Sequence, residues 1–231
     1  TYCGISAHAS SHPFMGRNAL DAAALAYQGL GLLRQQLPVS DRIHAIIDNG
    51  GQTPNLIPQT ASLHINIRSR YAPTLRALSH RIEDVLHGAA LMAGVQADIR
   101  WDSSPMTMPV RSNQTLGQRW VLAQREIGRN PYPAGTISDT LAASTDFGNI
   151  SLRLPGIHPL IQIAPEGTGL HTAEFAAAAQ SPRAEEAALD GAYGLAVVAV
   201  DFLTDDALAA DVQAEFEKAG GAVQVQTYFD S

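Results

Sequence analysis

The chain has 231 residues, a formal net charge of −7 and 45% hydrophobic residues, which predicts a globular protein of one or two domains. No basic run is interleaved with aromatic residues, so nucleic acid is not expected as a partner. We find no signal peptide and no apolar run near the roughly 20 residues of a membrane helix, so no membrane partner is expected. The single cysteine, Cys3, excludes an intramolecular disulfide and favours a reducing, cytoplasmic location.

The first hundred residues alternate between strand and helix patterns. The predicted strands are residues 2–5, 42–48, 59–69 and 95–101, and the predicted helices are residues 17–37 and 73–93. The clearest strand is 59–69, because apolar and polar residues alternate strictly along it. The β-α-β-β-α-β order predicts a ferredoxin-like α+β domain with both helices on one face of a four-stranded sheet. Its open face or edge predicts dimerisation with a second copy.

The second half of the chain reads as a different region. Residues 102–112 are rich in Pro and Ser and predict a linker, so we expect domains at 1–111 and 112–231. The second region shows helices near 113–127, 183–204 and 206–219 and one strand near 158–163. These elements are too few for a closed α/β domain, and the chain starts at Thr1 inside a strand pattern. We therefore expect a piece of a longer protein.

Four local patterns carry chemical groups. They are Gly4-Ile5-Ser6-Ala7-His8 followed by Gly16-Arg17-Asn18-Ala19-Leu20-Asp21; Pro54-Asn55-Leu56-Ile57-Pro58 with Arg68 farther along; Ser144-Thr145-Asp146-Phe147-Gly148-Asn149; and Gly169-Leu170-His171-Thr172-Ala173-Glu174-Phe175. The last run follows the apolar stretch 159–163, which predicts a buried strand, and Gly167 and Gly169 allow a tight turn after it. His171 is then expected at the carboxyl end of that strand, where open α/β sheets place their chemistry.

Together these patterns resemble the metal-dependent aminoacylase and carboxypeptidase family, metallopeptidase family M twenty. The branch most similar to this chain contains amidohydrolases that resemble aminobenzoyl-glutamate hydrolase and the aminoacylase-like dipeptidases. The resemblance covers nearly the whole chain. It implies an α/β zinc-peptidase-like catalytic domain interrupted by a lid domain that dimerises. The implied activity is cleavage of the amide bond of N-acyl or N-aminoacyl amino acids or small dipeptides.

The resemblance also implies a role for individual residues. His8 matches the lid histidine that reaches into the partner subunit's active site and donates to the developing oxyanion. Asn55 and Arg68 match a lid pair that binds the substrate carboxylate, for which the planar guanidinium of arginine is suited. Gly169 is expected to offer backbone groups to the substrate. His171 matches the last ligand of a site for two divalent metal ions, with zinc expected and manganese or cobalt as alternatives.

The chain departs from the family in its metal ligands. A His-x-Asp pattern, the bridging aspartate and the Glu-Glu pair that contains the general base are expected before or within the early catalytic domain. The one Glu-Glu pair here, Glu185-Glu186, follows His171 on a predicted helix, which is the wrong place for that role. Because catalytic zinc uses three or more protein ligands, the chain alone is expected not to bind its metals fully and to be inactive.

Several readings stay open at this point. A lone histidine after a Gly-rich turn is commonly structural, and His8 and Arg68 have plain readings as a loop histidine and a solvated strand arginine. Asn18 fits a helix cap better than a substrate contact. Asp146 is expected to position a loop or ligand, and Glu174 either supports His171 or caps the next helix.

The main alternative for the function is a non-catalytic dimerisation or regulatory module derived from the family. A weaker alternative is a small-molecule binding domain that uses Arg68 without chemistry. Neither alternative needs the missing metal ligands.

Overall fold

The fold is taken from a computed structural model that describes residues 1–101, 106–136 and 145–229. The chain divides into two compact units. The first is built on Thr1–Pro109 and includes the described residues from Gln226 onwards. The second contains the helix that begins at Gln114 and the segment Asp146–Val225. The chain changes unit at Val110, two residues before the boundary expected from the sequence.

The first unit is a four-stranded antiparallel sheet with two helices. Its elements are β1 (Tyr2–Cys3), α1 (Ala19–Leu33), β2 (Arg42–Asn49), β3 (Thr60–Arg68), α2 (Ala72–Ala93) and β4 (Gln96–Ala97). The strands are ordered β2-β3-β1-β4, and each neighbouring pair is antiparallel. The expected β-α-β-β-α-β arrangement is therefore confirmed.

Side-chain alternation on β3 decides which face of this sheet is covered. Ala61 is fully buried, and Leu63, Ile65 and Ile67 pack against the core formed with α1 and α2. The polar residues between them lie on the opposite face. At the centre of the core the Tyr2 hydroxyl donates to the carbonyl of Leu86 at 3.0 Å, and burial raises the pKa of Tyr2 to about 12.

Local sequence signals fix the ends of the helices. The Asn18 side chain accepts from the backbone N–H of Leu20 at 2.9 Å, which confirms Asn18 as the cap of α1. The helix ends earlier than expected, because residues 34–36 form a 3₁₀ turn. The strand expected at 95–101 is reduced to β4, since β1, its neighbour in the sheet, is only two residues long and offers no further partners.

The second unit is helical over its described residues. Its helices are α3 (Gln114–Glu126), α4 (Phe147–Ser151), α5 (Ala173–Ala178), α6 (Pro182–Thr204) and α7 (Asp206–Lys218). The three long helices expected from the sequence are confirmed. Their core is formed by residues of α3, α6 and α7, namely Leu116, Trp120, Val121, Val198 and Val212.

The strand expected near 158–163 is not formed, and that prediction is wrong for this chain. The segment is neither helix nor strand, and Leu160 is 79% exposed. A strand needs a neighbour for its backbone groups. No strand is assigned among the described residues of the second unit, so the segment has no ladder to join.

Helix α6 corrects the expectation that no apolar run is long enough for a membrane. Among the described residues it is the one helix that could cross a membrane, judged by length and composition alone. One side of α6 carries Asp190 and Asp201, which pair with Arg129 and with Arg119 of α3. Another side is apolar and open, with side chains that include Leu189 at 74% and Leu203 at 80% exposure.

Gly194 sets the close approach of α6 to α3. A β-carbon at this position would overlap the Gln124 amide and lie 2.8 Å from Trp120 Nε1. We predict that Gly194→Ala lowers the free energy of unfolding by about 1–3 kcal/mol through overpacking. Gly191→Ala is the matched control, because it adds the same methyl group to α6 where nothing lies within 4 Å. Urea titration of both variants measures the difference, and equal stabilities would contradict the packing assignment.

Glu215 of α7 binds the amino-terminal end of α3. Its carboxylate accepts from the backbone N–H of Gln114 at 2.5 Å and from the N–H and hydroxyl of Thr115 at 2.9 and 2.7 Å. Burial alone would raise the pKa of Glu215, but these three hydrogen bonds outweigh it and the pKa lies below its usual value.

This depressed pKa predicts an acid-dependent loss of stability. The contribution of Glu215 is complete above the unfolded pKa, near the usual value of 4.5, and is lost as the pH falls through the lower pKa of the folded state. Glu215→Gln should therefore lose less stability than the wild type on acidification across this range. Urea unfolding over a pH series tests this, with Glu186→Gln on the exposed surface of α6 as the control. Parallel pH profiles for wild type and Glu215→Gln would refute it.

Candidate functional site

A hairpin-like loop between β1 and α1 presents His8. The loop closes where Ile5 and Arg17 exchange two backbone hydrogen bonds of 2.9 Å. Its first limb also pairs with the segment before β3, where the N–H of Ile57 donates to the carbonyl of Ala7 at 2.9 Å. Gly4 permits the tight start of the loop, because a β-carbon there would collide with the carbonyl of Arg17.

Backbone donors orient the His8 ring. The N–H groups of Ser10 and Ser11 both approach His8 Nδ1 at 3.3 Å as donors. Nδ1 must therefore be the acceptor, so in the neutral imidazole the proton resides on Nε2. The His8 side chain is exposed, which leaves its Nε2–H as a donor directed away from the loop.

The loop brings Asn55 next to His8 and adds a neighbour that the sequence analysis missed. The N–H of Ala9 donates to the carbonyl of Asn55 at 3.0 Å, while the Asn55 side chain accepts from the hydroxyl of Thr53. An isolated bridge pairs His8 with Leu56, so the Leu56 side chain shares the face of the imidazole. The signal was present, since Leu56 is an exposed apolar residue directly after the Asn55 motif position.

Arg68 lies at the opposite end of the sheet. It is the last residue of β3, paired with Arg42 on β2, and its Nε donates to Asn66 Oδ1 at 3.2 Å. The nine residues of β3 span about 26 Å at the usual strand rise. Within one chain the structure therefore groups Asn55 with His8, and it does not group Asn55 with Arg68.

The Gly169–His171 turn lies in the second unit. His171 has φ of 62°, and it is the one non-glycine residue with positive φ among those the structure describes. The Thr172 hydroxyl donates to the carbonyl of Gly169 at 2.8 Å and accepts from the N–H of Phe175 at 3.2 Å, which fixes the turn onto α5. Left-handed backbone at a non-glycine residue costs energy and is concentrated at functional sites. The His171 side chain is exposed.

The described residues do not assemble a metal centre by themselves. Residues 1–101, 106–136 and 145–229 contain no cluster of three or more His, Cys, Asp or Glu side chains. His171 supplies one imidazole, whereas catalytic zinc takes three protein ligands. Glu174 lies in the first turn of α5, where a carboxylate favours the helix dipole. Asp146 is exposed immediately before α4 and caps it with no side-chain bond, and Ser144 of the same motif lies outside the described residues.

Comparison with known proteins gives consistent matches. Residues 2–91 match the family model described as a peptidase dimerisation domain. The chain is 36% identical over 216 residues to the Xaa-Arg dipeptidase of Mus musculus, an alignment that covers 94% of this chain and 50% of the relative. It is 25% identical over 266 residues to one of the two p-aminobenzoyl-glutamate hydrolase chains of Escherichia coli that it matches, covering 93% of this chain and 55% of that relative.

A solved structure shares the fold. The crystal structure of an aminobenzoyl-glutamate utilization protein from Klebsiella pneumoniae matches with a TM-score of 0.50 and 23% identity over 64% of this chain and 37% of that chain. The chain thus spans about half the length of the curated relatives it matches. These relatives are named as hydrolases of peptide or acyl-amino-acid bonds, which agrees with the resemblance seen in the sequence.

The hydrogen bonds to His8 Nδ1 predict one tautomer. In long-range ¹H–¹⁵N NMR spectra of the neutral ring, His8 should show the pattern of a proton on Nε2. Ser10→Ala removes only a hydroxyl, so the tautomer should persist because both backbone donors remain. His64, a histidine of β3, is the internal comparison. A proton found on Nδ1 of His8 would show that the loop does not orient the ring in this way.

Proposed function

From residues 2–91 as the dimerisation domain of a metallopeptidase of family M twenty, we propose that the complete protein is a homodimeric amidohydrolase. It cleaves the amide bond of N-acyl or N-aminoacyl amino acids, or of small dipeptides, whose products carry a free carboxylate. The observation that carries this proposal is the division of the candidate groups between the two ends of one sheet. His8 and Asn55 lie beyond one end of β3, and Arg68 lies at the other.

A two-fold axis at the outer strand β2 would bring these groups together. β2 is at the edge of the sheet, and pairing it with β2 of a second copy makes the two β3 strands antiparallel to each other. The amino-terminal end of one β3 then lies level with the carboxyl-terminal end of the other. Three strand spacings, about 14 Å, separate them across the sheet. Each site would therefore combine His8 and Asn55 of one copy with Arg68 of the other.

The geometry of each group suits a distinct task. The exposed Nε2–H of His8 is a donor for the oxyanion that develops on the amide carbonyl, and such a donor lowers the barrier by about 3–4 kcal/mol. Arg68 binds the substrate carboxylate with two parallel hydrogen bonds, and its Nε bond to Asn66 holds the guanidinium in place. Asn55 and the backbone of Gly169 contribute further polar contacts to the substrate.

Members of this family are generally metal-dependent, and we propose His171 as one ligand of a pair of divalent ions, zinc with manganese or cobalt as alternatives. The other ligands would come from outside this chain. The strained turn of His171 and the open apolar side of α6 support the second unit as part of a larger catalytic domain. A single, unpaired cysteine supports a cytoplasmic location.

Mixed dimers test the divided site. We expect His8→Ala to lower kcat of the complete protein by about a hundredfold or more, and Arg68→Ala to act mainly by raising KM for substrates with a free carboxylate. In a dimer with one copy of each variant, one site lacks both residues and the other keeps both. An equimolar mixture after exchange of partners should therefore regain about a quarter of the wild-type activity, since half of the dimers are mixed and each has one intact site.

The matched control mixes His8→Ala with Asn55→Ala. Both residues come from the same copy in the proposed site, so every site in this mixture is damaged and activity should stay low. Recovery in this control, or none with His8→Ala and Arg68→Ala, would overturn the division between the two copies. A complete protein with normal activity in all three variants would show that these residues serve no hydrolytic site, as in a dimerisation module.

A further inference from the structure

The backbone direction along β2 can be read from the hydrogen bonds of the neighbouring strands. The N–H of Gly4 donates to the carbonyl of Gln59 at 2.7 Å, in the same register as the Tyr2–Ala61 pair of β1 and β3. Because hydrogen-bonding directions alternate in an antiparallel sheet, the even-numbered residues of β3 bond to β2. Their partners are Arg42, His44 and Ile46, opposite Arg68, Asn66 and His64.

The intervening residues of β2 therefore point their backbone groups towards the open edge of the sheet. These residues are Ile43, Ala45 and Ile47. The carbonyl of Ile43 already accepts from Arg34 Nε at 3.1 Å, so a guanidinium occupies that part of the edge. A β-bulge between Ile47 and Asn49 ends the regular ladder on the other side. The edge available to another strand is thus confined to Ala45 through Ile47.

Resting on the dimer of the proposed function, we propose that a second copy pairs here with Ile46 on the two-fold axis. Ala45 of each copy then forms a hydrogen-bonded pair with Ile47 of the other, and the carbonyl of Ile43 keeps its Arg34 donor. The competing register would place Ala45 on the axis and would need the edge of Ile43 that Arg34 occupies.

Side chains on the open face of the sheet agree with this register. Ile46 is 60% exposed among polar neighbours, and on the axis it packs against Ile46 of the second copy. His44 then lies opposite the second copy's Asp48, a pair able to share a hydrogen bond and, when His44 is protonated, opposite charges. The Ser62 hydroxyl, on the open face of β3, lies 3.5 Å from Asp48 Oδ2, which places the carboxylate on that same face. The pairing is self-complementary, as a two-fold axis requires.

Cysteine cross-linking of the 231-residue chain tests the register. In a Cys3→Ser background, Ile46→Cys should form a covalent dimer on mild oxidation, because the two residues would face each other with α-carbons about 4.5 Å apart. Ala45→Cys in the same background is the matched control and should cross-link at least tenfold more slowly. Non-reducing gel electrophoresis measures both rates. Preferential cross-linking through Ala45→Cys would overturn the proposal.

Charge reversal gives a second readout. Asp48→Arg should raise the dissociation constant of the dimer at least tenfold in sedimentation experiments. His44→Asp combined with Asp48→Arg should restore the dimer, while Asp84→Arg, an exposed acid on α2, should leave it unchanged. A chain that is monomeric at every concentration tested, or a dimer indifferent to Asp48→Arg, would sink the register. Neither readout needs amide hydrolysis, so this inference can fail while the proposed activity stands, and the reverse.

Discussion

The stiffness and length of β3 constrain everything proposed for this chain. Its apolar residues are held in the core of the first unit, so the strand cannot fold back on itself. Its two ends carry the two kinds of polar chemistry, a histidine donor and a carboxylate-binding arginine. One sheet of this kind keeps them apart, and a two-fold axis beside it is the simplest operation that unites them. Dimerisation and chemistry thereby become a single requirement.

Features set by local interactions could be predicted from the sequence. The alternation along β3, the Asn18 cap and the long apolar periodicities indicated the sheet and the principal helices, because each depends on residues close in the chain. Features set by distant partners were predicted poorly. The segment 158–163 has strand composition but no neighbour, and β4 is as short as β1 allows. Likewise, the placement of Asn55 beside His8 depends on a loop pairing that motif spacing does not encode.

Helix α6 illustrates how composition and surroundings diverge. Its length and apolarity satisfy a membrane criterion, yet two aspartates within it form ion pairs with Arg119 and Arg129. Burying such acids in lipid is costly, even when they are paired. The charged side is already occupied by protein, so the question for this helix concerns only its open apolar side. A chain that spans half of its relatives' length leaves ample sequence in those relatives to cover such a side.

The edge of β2 shows how a sheet can invite one partner and discourage others. Exposed edges promote uncontrolled pairing, and proteins usually block them with bulges, charges or covering side chains. Here a bulge closes one end of β2 and Arg34 covers the carbonyl near the other, so only a short stretch stays open. A stretch this short gives little binding energy to an arbitrary strand, because few ladder hydrogen bonds can form. It favours a partner that adds matching side chains on both sides of an axis, and a second copy of the same strand does this by symmetry.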